Sequence, residues 1–206
     1  MKPFLLFFLL SFSLFTHAQT AIPARKIELL IGRSIHGTGD MRGLSYATEY
    51  LQRFKKRFSW SVGIGGTLHD GSSPLFYTDP SSGRSNDGSV RYTTAGVQIT
   101  GNFGYSFIRT IKHDLIFRLG PLLRYQTSSY PDAYTIYYPP ATRLPQPVVV
   151  FENTTPQRTF AFGGLAQFQY TYALNGKLVL GLLGGLQTDT NGDTIAQTAL
   201  TIGRQF

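Results

Sequence analysis

"RTFAFGGLAQFQYTYAL", residues 158–174, alternates two kinds of side chain. Phe160, Phe162, Phe168, Tyr170 and Tyr172 share one parity, and Gln167, Gln169 and Thr171 share the other. Successive Cβ atoms of an extended chain point to opposite faces, so a period of two reads as a strand between two unlike environments. "NGK" (175–177) follows, and Asn-Gly is a strong hairpin signal. "LVLGLLGGLQT" (178–188) then runs back, and "DTNGD" (189–193) turns the chain into its last run, which ends "TALTIGRQF". There Ala196, Thr198, Leu200, Ile202 and Phe206 oppose Gln197, Thr201 and Gln205.

The same pattern extends toward the N-terminus. Ile27, Leu29, Ile31 and Ile35 oppose Glu28, Gly32, Ser34 and His36, with Arg33 interrupting the apolar parity. Leu44, Tyr46, Tyr50 and Phe54 oppose Ser45, Glu49 and Arg53; this stretch also fits a short amphipathic helix. Phe58, Trp60, Val62, Ile64 and Leu68 oppose Ser59, Ser61, Gly63, Gly65 and Thr67. Val97, Ile99, Phe103, Tyr105 and Phe107 oppose Gln98, Thr100, Asn102, Gly104 and Ser106. Leu115, Phe117, Leu119, Leu123 and Tyr125 oppose Arg118, Gly120, Arg124 and Gln126.

These runs make eight strands whose connections alternate in length. "KKR", "RTIKHD" and "NGK" are tight turns on one side. "GTGDMRG", a loop near 70–89, a loop near 128–156 and "DTNGD" lie on the other. Within the longest loop, "AYTIYY" and "PVVVF" either prolong a hairpin outward or add a strand pair, giving ten strands.

Size decides which face points inward. An eight-stranded barrel has an interior just wide enough for side chains. Bulky Phe, Tyr, Trp and Leu from every strand would overfill it, whereas Gly, Ser, Thr, Gln and a few charges fill it. The expected fold is therefore an all-β, eight-stranded antiparallel up-and-down transmembrane barrel with its aromatic face toward lipid. The alternative is a soluble periplasmic barrel that turns its apolar face inward around an apolar ligand.

The first residues support export. Lys2 supplies a positive start, Phe4 to Phe15 an apolar core, and Thr16-His17-Ala18 a small-residue cleavage site. That core is shorter than the ~20 residues a spanning helix needs. Residues 1–18 read as a cleaved signal peptide and residues 19–206 as one barrel domain. Removing the peptide leaves 188 of the 206 residues and takes one of the 19 Lys and Arg with it, against 11 Asp and Glu. With no Cys there is neither disulfide stabilisation nor a lipoprotein anchor. Export makes nucleic acid an implausible partner for this basic chain and points to acidic lipid headgroups. No cofactor or metal is expected.

The export signal, eight alternating strands, unequal loops and terminal Phe together resemble the small outer-membrane barrels of Gram-negative bacteria, the OmpA/OmpX-like class. The resemblance implies an outer-membrane location among lipids and lipopolysaccharide. It also implies that Leu200, Ile202 and Phe206 form the terminal signal read by the barrel-assembly machinery. Arg204 departs from that pattern, in which an apolar or aromatic residue is usual two before the end.

Candidate chemistry is sparse. Glu28, Glu49, Arg53, Arg118 and Arg124 lie on the polar face, where desolvation in a narrow barrel demands ion pairing; they read as a plug rather than an ion path. Ser34 and His36, two apart on one face, raise the alternative of a lipid A-modifying enzyme, and His69 with Asp70 is a second pair. Asp189, Asn191 and Asp193 place oxygens at alternate positions, as a calcium loop begins, but lack the downstream Glu; a turn is expected. Asn153 begins a glycosylation sequon by letters only. Function is expected in the loops, at Tyr130, Tyr134, Tyr137, Tyr138 and Arg143, which suit an extracellular protein or glycan.

Overall fold

The computed structural model describes residues 24–37, 41–78, 83–145, 147–155 and 157–206. The expected signal peptide, residues 1–18, lies outside them. The strands are β1 (Arg25–His36), β2 (Met41–Arg53), β3 (Phe58–Ser73), β4 (Phe76–Thr78), β5 (Ser85–Asp87), β6 (Val90–Arg109) and β7 (His113–Ser128). They continue with β8 (Ala133–Tyr137), β9 (Val148–Glu152), β10 (Gln157–Ala173), β11 (Leu178–Asp189) and β12 (Thr194–Gln205). One helical turn, α1 (Pro139–Thr142), lies between β8 and β9. Residues 43–53, which also suited a helix, belong to β2.

Eight strands close into one barrel in the order β1-β12-β11-β10-β7-β6-β3-β2, every pair antiparallel. The ten-strand alternative does not hold. β4–β5 and β8–β9 form separate two-stranded sheets in the two long loops. The closing seam joins the two ends of the chain: Arg25 and Phe206 exchange both backbone hydrogen bonds, at 3.0 and 2.9 Å. Closure pairs every barrel strand on both sides and leaves no edge. At that seam Gly32 of β1 occupies a place where a Cβ would run into the backbone carbonyl of Thr198 on β12, so only glycine allows the approach. Gly192, at φ 80°, turns the chain from β11 into β12.

The parity prediction is realised physically. Phe160, Phe162, Phe168, Leu182, Leu200 and Ile64 face outward and are exposed, Phe160 at 71%. Gln167, Gln169, Thr171, Arg118, Arg124 and Glu28 point inward and are buried. This is the inverse of a soluble barrel, so the apolar-ligand alternative fails: its cavity is occupied by polar side chains. Aromatic contacts crowd the outer face toward the short-turn end, where Phe58 meets Phe103 at 5.8 Å and Tyr50 meets Trp60 at 5.6 Å. Such rings suit the membrane–water boundary.

One expectation about the interior needs correction. The inward parity is not only small and polar, because Leu30, Leu51, Ile116, Leu122, Leu165 and Leu183 are buried there too. Leu30, Leu183 and Ala199 form a compact apolar cluster. Aliphatic groups fill the width left between charged pairs, which raises the density without adding groups that need partners.

Candidate functional site

Three polar networks fill the barrel from the short-turn end to the loop end. At the short-turn end Lys26 pairs with Glu28 at 2.9 Å, and Gln169 donates to Glu28 at 3.0 Å and to Thr201 at 3.1 Å. Arg53 pairs with Asp114. In the middle, Arg118 pairs with Glu49, and Gln98 and Gln187 exchange amide hydrogen bonds at 3.1 Å. Beside them the interior holds a cavity of about 30 Å³ bordered by Leu30, Glu49, Gln98, Thr100 and Leu183. That is room for roughly one water molecule.

At the loop end Arg124 donates to Thr67 at 3.2 Å and lies 3.5 Å from Asp189 and 3.7 Å from Asp193. Asp193 also meets His36 at 3.1 Å, and that bond is the main cause holding its carboxyl below the usual range. The His36 ring stacks on His69 at 5.1 Å, and His69 Nε2 lies 2.8 Å from Ser34 Oγ. The acidic turn at 189–193 therefore works as a turn and as Arg124's counter-charge. Asn191 N–H and Asp193 N–H both donate to the Asp189 carboxylate, at 3.0 and 3.4 Å. Among the described residues, no group of three or more His, Asp or Glu is placed to hold a metal ion.

Each of the five interior charges read from sequence has a partner here: Glu49 and Arg118 meet each other, Glu28 and Arg53 meet Lys26 and Asp114, which the pattern did not single out, and Arg124 meets Asp189 and Asp193 of the expected turn. The suspected Ser34–His36 pair is not the one formed; Ser34 instead bonds His69 of β3 over Gly43 of β2, with which both are in register. His69 and Asp70 stand on opposite faces of β3, His69 fully buried and Asp70 exposed. Ser34 and His69 have the separation of a nucleophile and a general base. Both are buried on the inward face of the barrel.

The loop candidates fall into two settings. Tyr130 packs edge-on against Tyr92 at 4.8 Å, at the root of the long loop. Tyr134, Tyr137, Tyr138 and Arg143 belong to the projecting β8–α1–β9 ribbon. Arg143 closes α1 in the left-handed conformation, at φ 57°, its N–H donating to Pro139. Asp132 fastens the ribbon's base, accepting from the backbone of Thr154 and Thr155 at 2.9 and 2.8 Å. Every residue of β8 is exposed, and so are Val149, Val150 and Phe151 of β9; the sequence suggests this hairpin, but its apolar residues are not among the candidate binding residues. Their exposure follows from the ribbon standing clear of the barrel, which strand alternation does not reveal.

Solved structures share this fold. Ail, the attachment invasion locus protein of Yersinia pestis, superposes with a TM-score of 0.52 at 9% identity, over 90% of this chain and 100% of that one. Neisserial surface protein A superposes with a TM-score of 0.54 at 12% identity, over 88% and 97%. Ail solved with the heparin analogue sucrose octasulfate gives 0.50 at 10% identity, over 89% and 99%. The fold is thus that of the small eight-stranded outer-membrane barrels. No family model matches the chain. No curated protein matches it in sequence.

Proposed function

We propose that this chain is a non-enzymatic barrel of a Gram-negative outer membrane that binds an extracellular protein or glycan through its β8–β9 ribbon. The observation that carries the reading is the ribbon itself. A two-stranded hairpin is marginal in water, yet one face of this one exposes Tyr134, Ile136, Val149 and Phe151 together. An exposed apolar patch on a polar rim marks a contact surface. Among the described residues the interior is well filled: the cavity beside Glu49 admits about one water, and the buried carboxylates Glu28, Glu49, Asp114 and Asp189 each meet a cation. The outer membrane and its lipopolysaccharide suit the apolar band. Leu200 and Ile202 face outward, and Phe206 closes the seam, positions that suit recognition by the barrel-assembly machinery.

The test begins with an outer-membrane fraction run boiled and unboiled. A heat-dependent band shift is expected; a soluble periplasmic chain with no shift would refute the membrane placement. Planar-bilayer recordings of the folded protein are expected to show no conductance steps. Cells expressing the wild type and a Tyr134→Ser/Tyr138→Ser/Phe151→Ser variant are then compared for adhesion to immobilised matrix proteins and to heparin. Lower adhesion by the variant, at equal surface level, supports the ribbon; equal adhesion refutes it.

A further inference from the structure

The outer surface of the barrel is not uniform. One hydrogen-bonded row of residues runs Phe117, Phe168, Gly184, Thr198, Arg33 across β7, β10, β11, β12 and β1. Gly184 and Thr198 are the small members, and nothing lies within 4 Å of where a Gly184 Cβ would project. Two adjoining grooves of about 600 and 770 Å³ open there, sharing Arg33, Phe168, Gly184 and Thr198 as walls. That is the size range of sites for small ligands. On this side the belt is aliphatic, with Ile31, Leu182 and Leu200 bordering the groove.

Arg33 breaks that belt. It lies three residues before the loop-side end of β1, about 10 Å along the strand at roughly 3.3 Å per residue. Arg42 of β2 faces outward beside it, opposite Ile35, which makes the two arginines diagonal neighbours on one face. Among the described residues, neither guanidinium has a hydrogen bond or ion pair. The carboxylate on Arg42's row, Asp70, is engaged by Arg91 and Thr93, each at 3.0 Å. Two unpaired cations facing lipid are costly unless an anion meets them. Long arginine stems let both heads rise toward the headgroup level.

We infer that this face is a binding site for a lipid whose phosphate headgroup carries net negative charge, the phosphate sitting between Arg33 and Arg42 and an acyl chain lying in the groove over Gly184 and Thr198. Guanidinium groups bind phosphate through paired N–H donors. A second copy of the chain is a poorer occupant, because a two-fold contact would set these arginines against their own images in a low dielectric. The site rests on the membrane placement proposed above.

The full chain is folded into phosphatidylcholine vesicles doped with phosphatidic acid, extracted in detergent, and its retained lipids are read by native mass spectrometry. The wild type is expected to retain phosphatidic acid over phosphatidylcholine by about tenfold, and R33Q/R42Q to lose that preference. G184L fills the groove and leaves both arginines, and it is expected to lower retention as well. Equal preference in wild type and R33Q/R42Q overturns the site. Retention that inorganic phosphate displaces and G184L leaves unchanged also overturns it, since the anion alone would then be bound. The heat-dependent gel shift is scored in parallel. Its absence in the wild type overturns the membrane placement and this site with it; a normal shift with unaltered lipid selectivity overturns the site alone.

Discussion

Neutralising Glu49 tests whether the barrel interior is dry. Glu49 is 5% exposed and Arg118, its partner, 1%. Glu49→Gln leaves a guanidinium buried without its counter-charge. At about 4 Å and an effective dielectric of about 20, two unit charges attract by roughly 4 kcal/mol. Removing one member of a buried pair costs about 3–5 kcal/mol. Glu49→Leu combined with Arg118→Met is expected to cost less than either single loss, because apolar replacement of a whole buried pair is close to neutral. The control is the Arg91–Asp70 pair, 3.0 Å apart but 79% and 61% exposed, where Asp70→Asn should cost under about 1 kcal/mol. Trp60 is the only tryptophan, so guanidinium unfolding of the barrel in detergent micelles can be followed by its fluorescence. If Glu49→Gln costs no more than Asp70→Asn, the interior is wet, the pair is solvated, and the plug argument fails.

Two further outcomes follow from named contacts. Ser34→Ala removes the hydroxyl partner of buried His69 and is expected to cost about 1–3 kcal/mol of stability, while lipid A acylation, read by mass spectrometry, stays unchanged; an altered acylation pattern would restore the enzyme alternative. The Thr154 backbone N–H, with the Thr154 hydroxyl and Thr155 N–H, holds the Asp132 carboxyl below the usual carboxylate range. A depressed folded-state value means the clasp contributes fully above about pH 4 and is lost as pH falls below that. Asp132→Asn at neutral pH is expected to lose amide protection in β8 and β9, and the wild type to lose it as pH falls through the lowered folded-state value; full protection in the variant would show the clasp to be irrelevant.

The barrel was legible because its outer face repeats one rule on every strand. Phe160, Phe162 and Phe168 need no knowledge of their neighbours to be assigned outward. Interior partners depend on strand register and on which strands meet across the lumen. Glu49 of β2 meets Arg118 of β7 only because the barrel closes. Ser34 and His69, 35 residues apart, meet because both are in register with Gly43, which leaves room between them. Arg124 meets Asp189 and Asp193 because β7 and the β11–β12 turn share one end of the barrel. Lys26 was closer to hand: it shares parity with Glu28 two residues on. The buried Leu51, Ile116 and Leu122 were hidden for the opposite reason, since apolar residues on the polar parity look like noise. The β4–β5 ribbon has three residues per strand, too short for alternation to separate from its loop, whereas the five-residue strands of β8–β9 are legible in "AYTIYY" and "PVVVF".

Strand number then constrains where function can lie. Eight strands give a lumen that side chains fill, and here they do so with paired charges, amide pairs and aliphatic groups around a cavity of about 30 Å³. A filled lumen leaves little for a solute to enter. It also fixes the positions of the strands that carry the outer surface. Among the described residues, two surface regions stand out against their surroundings: the ribbon, whose Tyr134–Ile136–Val149–Phe151 face is apolar in a region that should meet water, and the Arg33–Arg42 face, cationic in a region that should meet lipid. Each departs from its surroundings in the direction that a partner would correct. The ribbon needs a surface that covers Tyr134 and Phe151, and the arginines need an anion that arrives with its own apolar chain.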